Sequence, residues 1–170
     1  MIHLYLGNGK GKTSSAVGLG VRAAGRGLRV LMLQFLKCTP SGEVLFLADC
    51  KNFTIKLFES QHNFVKSPLD KENATLKSEI TAAFEYAKNA LSKNEYDVLI
   101  LDEVLDAAEL GFISEASLIS LLGIGYTKEI VLTGRRASEE LIKIADYVSE
   151  FVLKKHPYQR GINAREGIEF

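Results

Sequence analysis

The chain has 170 residues, 46% of them hydrophobic and 25% charged, with 21 basic and 21 acidic side chains that cancel to zero. That length fits one α/β domain with a proper core and would cramp two, so residues 1–170 are expected to form a single domain. The neutral balance argues against a dedicated nucleic-acid binder, and no apolar run approaches the length that crosses a bilayer. Met1 to Leu6 lacks a basic region and runs into glycine, so it reads as neither signal peptide nor anchor. Cys38 and Cys50 have no metal-ligand spacing and read as reduced structural cysteines, which points to the cytoplasm.

Ile2 to Leu6 is apolar, too short for a helix, and reads as the first strand. It breaks into Gly7-Asn8-Gly9-Lys10-Gly11-Lys12-Thr13-Ser14, which opens a helix predicted over Thr13 to Ala24 and stopped by Gly25 and Gly27. Strand, glycine loop and helix N-terminus is the geometry in which backbone N–H groups surround a polyphosphate. The glycines let backbone approach phosphate without a Cβ in the way. Lys12 would reach the terminal phosphates, and the Thr13 hydroxyl would ligate Mg²⁺. The usual pattern has a glycine where this chain has Leu6, but Gly11-Lys12-Thr13 is intact. A plain glycine-rich turn is the alternative.

Leu28 to Phe35 is a nearly continuous apolar run, as in a strand buried on both faces of a parallel sheet, and completes a βαβ unit. Leu36 to Gly42 reads as a loop broken by Pro40 and Gly42, and Phe53 to Phe58 as a third strand. Glu59 to Lys66 has no clear period and reads as a loop. Ser67-Pro68-Leu69-Asp70 resembles a capping box, ahead of a helix whose inward face is Leu76, Ile80, Ala83, Phe84, Ala87 and Leu91.

Tyr96 to Leu101 ends in Asp102-Glu103. A buried strand that exposes two carboxylates at its C-terminal end suits a Mg²⁺-nucleotide site; an acidic helix start is the other reading. The glycine loop upstream favours the metal. Ser114 caps a short helix through Leu122, with Gly123 as its stop. Glu129 to Thr133 is a further buried strand, running into Gly134-Arg135-Arg136, where the arginines fit either a phosphate contact or a solvated loop. Ser138 caps Glu139 to Ala145, and Tyr147 to Leu153 reads as the last strand. Lys154 to Phe170 is basic and too irregular for a helix: a surface extension, or a segment completing a site or subunit contact.

The fold class expected is α/β, a P-loop NTPase-like (RecA-like) three-layer fold with a mostly parallel central sheet and helices on both faces. With these segments in this order, the chain resembles the P-loop class of ATP:corrinoid adenosyltransferases. The resemblance rests on Gly7 to Thr13, Gln34-Phe35-Leu36-Lys37, Leu101-Asp102-Glu103, Leu132 to Arg135 and Ala145 to Glu150, and on the tail with Lys155-His156, Gly161 and Gly167-Ile168-Glu169. It implies ATP, Mg²⁺ and a corrinoid co-substrate, a flavoprotein reductant and a homodimer. It also implies attack of Co(I) on C5′ of ATP with triphosphate leaving. On that reading Lys12 and Glu103 are catalytic; Gly7, Asn8, Gly9, Lys10, Gly11, Lys12, Thr13, Ser14 and Arg135 hold the nucleotide; and Thr13, Glu103 and Asp102 hold the metal. Family members commonly carry an N-terminal extension and a Phe- and Trp-bearing segment at the corrinoid's lower face. This chain begins at the strand and has no Trp, and Phe64 is the residue placed at that face. A P-loop ATPase or small-molecule kinase, and a nucleotide-dependent binding module without turnover, are the rival readings.

Overall fold

The apolar runs become strands. The computed structural model describes residues 1–37, 40–58 and 74–170. In it β1 (Ile2–Leu6), β2 (Val30–Gln34), β3 (Phe53–Leu57), β4 (Val98–Asp102), β5 (Glu129–Thr133) and β6 (Tyr147–Glu150) form one sheet in the order β3-β2-β4-β5-β1-β6. Every pairing is parallel. Parallel neighbours need crossover connections, and helices supply them on both sheet faces.

Period-two alternation sorts the side chains. Leu4, Leu6, Leu31, Leu33, Leu99, Leu101, Ile130 and Leu132 face one core, which α3 (Ala74–Ser92), α4 (Val104–Glu109), α5 (Glu115–Ile124) and α6 (Glu139–Ile144) cover. Val30, Met32, Val98, Ile100 and Val131 face the other, under α1 (Lys12–Ala24) and α2 (Gly42–Leu47). With both faces covered, all five residues of β2 and of β4 are buried, hence their lack of polar alternation. The six residues assigned to the inward face of the long helix are all buried in α3.

Several boundaries differ from expectation. α2 was not anticipated, because Leu45 and Phe46 point to solvent and leave no amphipathic period to read. α5 continues through Gly123 and ends at Gly125, whose N–H bonds the Leu121 carbonyl. Gly123 has open space around it, whereas a Cβ on Gly125 would overlap the Ile130 side chain. β2 and β6 are shorter than the apolar runs that contain them, and Phe35 and Phe151 to Leu153 leave the sheet for the site. The tail holds one 3₁₀ turn, Pro157–Arg160, capped by His156. Cys38, Phe64, the loop read over Glu59 to Lys66 and the capping box at Ser67 to Asp70 lie outside the described residues.

Because all strands run the same way, their C-terminal ends share one edge. Leu6, Gln34, Asp102, Thr133 and Glu150 therefore finish side by side, the place where open parallel sheets bind ligands.

Candidate nucleotide and metal site

The glycine loop leaves β1 and is held from behind by the chain emerging from β6. Phe151 N–H donates to the Leu6 carbonyl at 2.7 Å, Gly9 N–H to the Phe151 carbonyl at 2.7 Å, and Leu153 N–H to Asn8 Oδ1 at 3.2 Å. From the other side, Gly7 N–H bonds the Arg135 carbonyl at 3.1 Å. Gly7 and Gly11 have φ of 109° and 121°, where a side chain is strained. A Cβ on Gly9 would lie 2.6 Å from the Phe151 carbonyl oxygen, and one on Gly11 would lie 3.3 Å from the Phe151 ring. A Cβ on Gly7 would overlap the same carbonyl. Packing against the Phe151 backbone thus requires glycine at positions 7 and 9, and the positive φ favours it at positions 7 and 11. One expectation is corrected: the Gly9 N–H is committed to Phe151 and does not line the inside of the loop.

Gly7→Ala combines a left-handed φ with a backbone clash that no rotamer relieves. It is expected to destabilise the fold by about 2–3 kcal/mol, read as a lowered midpoint in chemical denaturation. A midpoint within experimental error of the native protein would show that Phe151 does not brace the loop.

Lys12 opens α1 and curls back over the loop, donating from Nζ to the carbonyls of Gly7 at 2.7 Å and Gly9 at 3.1 Å. Burial lowers its pKa, and the nearby Arg135 lowers it further, while Asp106, Glu103 and Asp102 oppose the shift. The first turn of a thirteen-residue helix begins there, with N–H groups that have no intrahelical acceptor. No acidic side chain occupies that turn. Ser14, in the same turn, is exposed.

A buried knot of oxygens sits beside the lysine. Asp102 is fully buried, and its Oδ1 accepts from Thr13 Oγ1 at 2.9 Å and Thr133 Oγ1 at 2.7 Å. Its Oδ2 accepts from Gln34 Nε2 at 3.3 Å. Burial raises the Asp102 pKa, and these hydrogen bonds together with Lys37 oppose it. Glu103 turns the chain from β4 into α4 with φ 61° and ψ 14°, a left-handed conformation uncommon for glutamate, and its N–H is held by Thr133 Oγ1 at 2.8 Å. Burial, then Asp102 and Asp106, push its pKa from 4.5 to about 7. Asp102 thus closes β4 and Glu103 caps the start of α4, so the pair is at once a strand end and a helix start.

Thr13, Asp102, Glu103, Lys12 and the loop are thus brought together. Arg135 reaches the loop through its backbone: the carbonyl holds Gly7, and the N–H bonds Asp106 Oδ1 at 3.1 Å. Asn8 spends its side-chain oxygen on Leu153. Lys10 is bound to the tail, with Nζ 2.6 Å from Glu169 Oε1 and 3.0 Å from the Ile168 carbonyl, while Arg165 holds the same carboxylate. Thr133, Asp106 and Phe151 were missed. Thr133 left a signal, a polar residue ending an otherwise apolar buried strand; Asp106 is one helical turn past Glu103; Phe151 looked like one more strand residue.

Oxygen donors alone, with an anionic cluster and one or two carboxylates, suit a small hard cation that takes its remaining ligands from water or phosphate. Among the described residues no cluster of three or more His, Cys, Asp or Glu side chains is arranged to hold a metal by itself. Among the described residues the buried Gln34 Oε1 has no hydrogen-bond partner, while its Nε2 end faces Asp102. The residues present fit Mg²⁺.

A parallel sheet with a glycine loop after β1, its lysine and hydroxyl on α1, and a carboxylate pair at the end of β4 defines a P-loop nucleotide-binding protein. The family model for ATP:corrinoid adenosyltransferase BtuR/CobO/CobP matches residues 1–170. The chain is 32% identical over 169 residues to the corrinoid adenosyltransferase of Pseudomonas aeruginosa, covering 98% of this chain and 82% of that protein. It is 28% identical over 172 residues to the corrinoid adenosyltransferase of Escherichia coli K12, covering 100% and 85%. The AMPPCP-bound DnaA of Aquifex aeolicus overlays with a TM-score of 0.42 at 20% identity, across 96% of this chain and 47% of that one; the fold assignment rests on the sheet itself. The chain belongs to the ATP:corrinoid adenosyltransferase family and is a transferase that uses ATP and a corrinoid.

Proposed function

We propose that this chain, working as a single nucleotide-binding domain, moves the 5′-deoxyadenosyl group of ATP to Co(I) of a corrinoid and releases triphosphate. The observation that carries the site assignment is the Thr13–Asp102–Thr133 knot set directly beside Lys12 and the loop. In the transfer the cobalt lone pair forms the Co–C5′ bond, the C5′–O bond breaks, and its electron pair leaves on triphosphate. No water needs activating, so a general base is not required. What the protein must supply is placement of C5′ and stabilisation of charge on the leaving oxygens.

Lys12 exchanges the Gly7 and Gly9 carbonyls for phosphate oxygens, and the free N–H groups opening α1 complete the cradle with Gly11, Thr13 and Ser14. Gly7, Asn8 and Gly9 give the cradle its shape against Phe151, and Lys10 and Arg135 border it. Thr13 and Glu103 would hold Mg²⁺, with Asp102 fixing the Thr13 hydroxyl from behind. When bound, the cation neutralises charge on the phosphates. Phe64 is kept as the candidate at the lower face of the corrinoid. A reduced flavoprotein as electron donor, a homodimer and a cytoplasmic site complete the reading.

The test is anaerobic: purified protein, Mg-ATP and chemically reduced cob(I)alamin, with the corrin spectrum followed and the phosphate product identified. Adenosylcobalamin with inorganic triphosphate is expected. ADP and orthophosphate with an unchanged spectrum would move the site to the ATPase reading.

A further inference from the structure

The end of β2, Gln34-Phe35-Leu36-Lys37, has no task in the mechanism above, yet it adjoins the carboxylates. Gln34 is 1% exposed and pairs in register with Asp102. Its Nε2 donates to Asp102 Oδ2 at 3.3 Å and to Glu43 Oε1 at 3.4 Å. Two carboxylates on one side fix which end of the amide faces them, since the oxygen would be repelled there. Glu43, in the first turn of α2, also accepts from Lys37 Nζ at 3.1 Å, and that ammonium donates to Ser41 Oγ at 3.0 Å. The Phe35 N–H, on the Asp102 carbonyl at 3.1 Å, anchors the start of the segment. Lys37 also lies close enough to Asp102 and Glu103 for its charge to favour the ionised form of both.

One flexible cation therefore faces three carboxylates on the flank of the site formed by β2, while Lys12 stands on the flank formed by the loop. That ammonium would be repelled by a divalent cation held by Thr13 and Glu103. The triphosphate arriving with it attracts the same ammonium more strongly than a single carboxylate does. Lysine suits such an exchange, being a point charge on a four-carbon stem with freely turning donors.

We propose that Lys37 is a second phosphate-binding cation of this site, parked on Glu43 and Ser41 until phosphates arrive, with Gln34 as the positioning residue that ties Glu43 to Asp102. The inference rests on the nucleotide-site reading and adds to it a residue from the opposite flank.

The experiment measures binding of inorganic triphosphate with Mg²⁺ to the full chain by calorimetry, with no corrinoid present. Lys37→Met is expected to weaken binding about tenfold, and Lys37→Arg to recover most of it. Glu43→Gln, which frees the ammonium, is expected to tighten binding about threefold. Unchanged affinity in Lys37→Met, or a Glu43→Gln loss as large as that of Lys37→Met, overturns the inference and leaves the pair a loop brace. If Lys37→Met does not fold, the sign of the Glu43→Gln effect decides alone. Failure of the native chain to bind triphosphate overturns the phosphate site itself.

Discussion

Lys12→Ala is expected to lower adenosyl transfer about a thousandfold while the protein stays folded. Among the described residues the lysine ammonium makes two hydrogen bonds, to the loop carbonyls of Gly7 and Gly9. Burial already disfavours its charge, so losing the side chain costs the fold about 1 kcal/mol or less. In the proposed mechanism the same ammonium meets charge that develops on triphosphate as C5′–O breaks. Removing one such aligned donor typically costs 10²–10³ in rate. The check is the anaerobic corrin assay beside a thermal melt of the same preparation. A near-native rate in a folded Lys12→Ala protein would remove the lysine from the chemistry.

Glu103→Gln has the second large effect, and it depends on pH. The folded-state pKa of Glu103 is about 7 against an ordinary 4.5, raised by burial and by Asp102 and Asp106. Below the unfolded value both states are protonated and the site carries no penalty. As pH rises through about 7 the folded protein must hold an unfavourable charge, so the stability present in acid is lost. In chelator, the native protein is therefore expected to lose about 1–3 kcal/mol between pH 5 and pH 8 that Glu103→Gln retains. With Mg²⁺ the order reverses. Affinity of the native site for the cation rises with pH through the same window, because the ligand must be ionised, and Glu103→Gln shows a weaker cation requirement with a shallower pH dependence. Chemical denaturation at the two pH values and Mg²⁺ titration in the presence of ATP read both effects. Parallel pH slopes in native and variant would sink the assignment of Glu103 as the titrating, cation-holding group.

The strands could be read from the chain because burial on both faces strips polar residues from them: Val98 to Leu101 and Ile130 to Leu132 admit no other arrangement of similar economy. The site was legible where its chemistry is local in sequence, as in Gly11-Lys12-Thr13 and Asp102-Glu103. It was illegible where residues meet only through the sheet order. Thr133 reaches Asp102 because β5 lies between β4 and β1, a neighbour relation that no spacing encodes. Phe151 was assigned to a strand because apolar residues beside a strand read as more strand; that its carbonyl would brace Gly9 depends on β6 lying next to β1. α2 was lost for the opposite reason, its outward Phe46 being 86% exposed and contradicting the pattern by which helices are recognised.

The brace behind the loop carries a consequence for biosynthesis. Leu153 N–H and Asn8 Oδ1, which close it, are 145 positions apart, so the phosphate loop is synthesised well before the residues that brace it. A growing chain that has displayed Gly7 to Thr13 still lacks the backing that gives those glycines their shape. Nucleotide recognition is therefore expected to wait for the edge strand, whose four residues are all exposed, to fold. Until the C-terminal part of the chain leaves the ribosome, the nascent protein is expected to be indifferent to ATP.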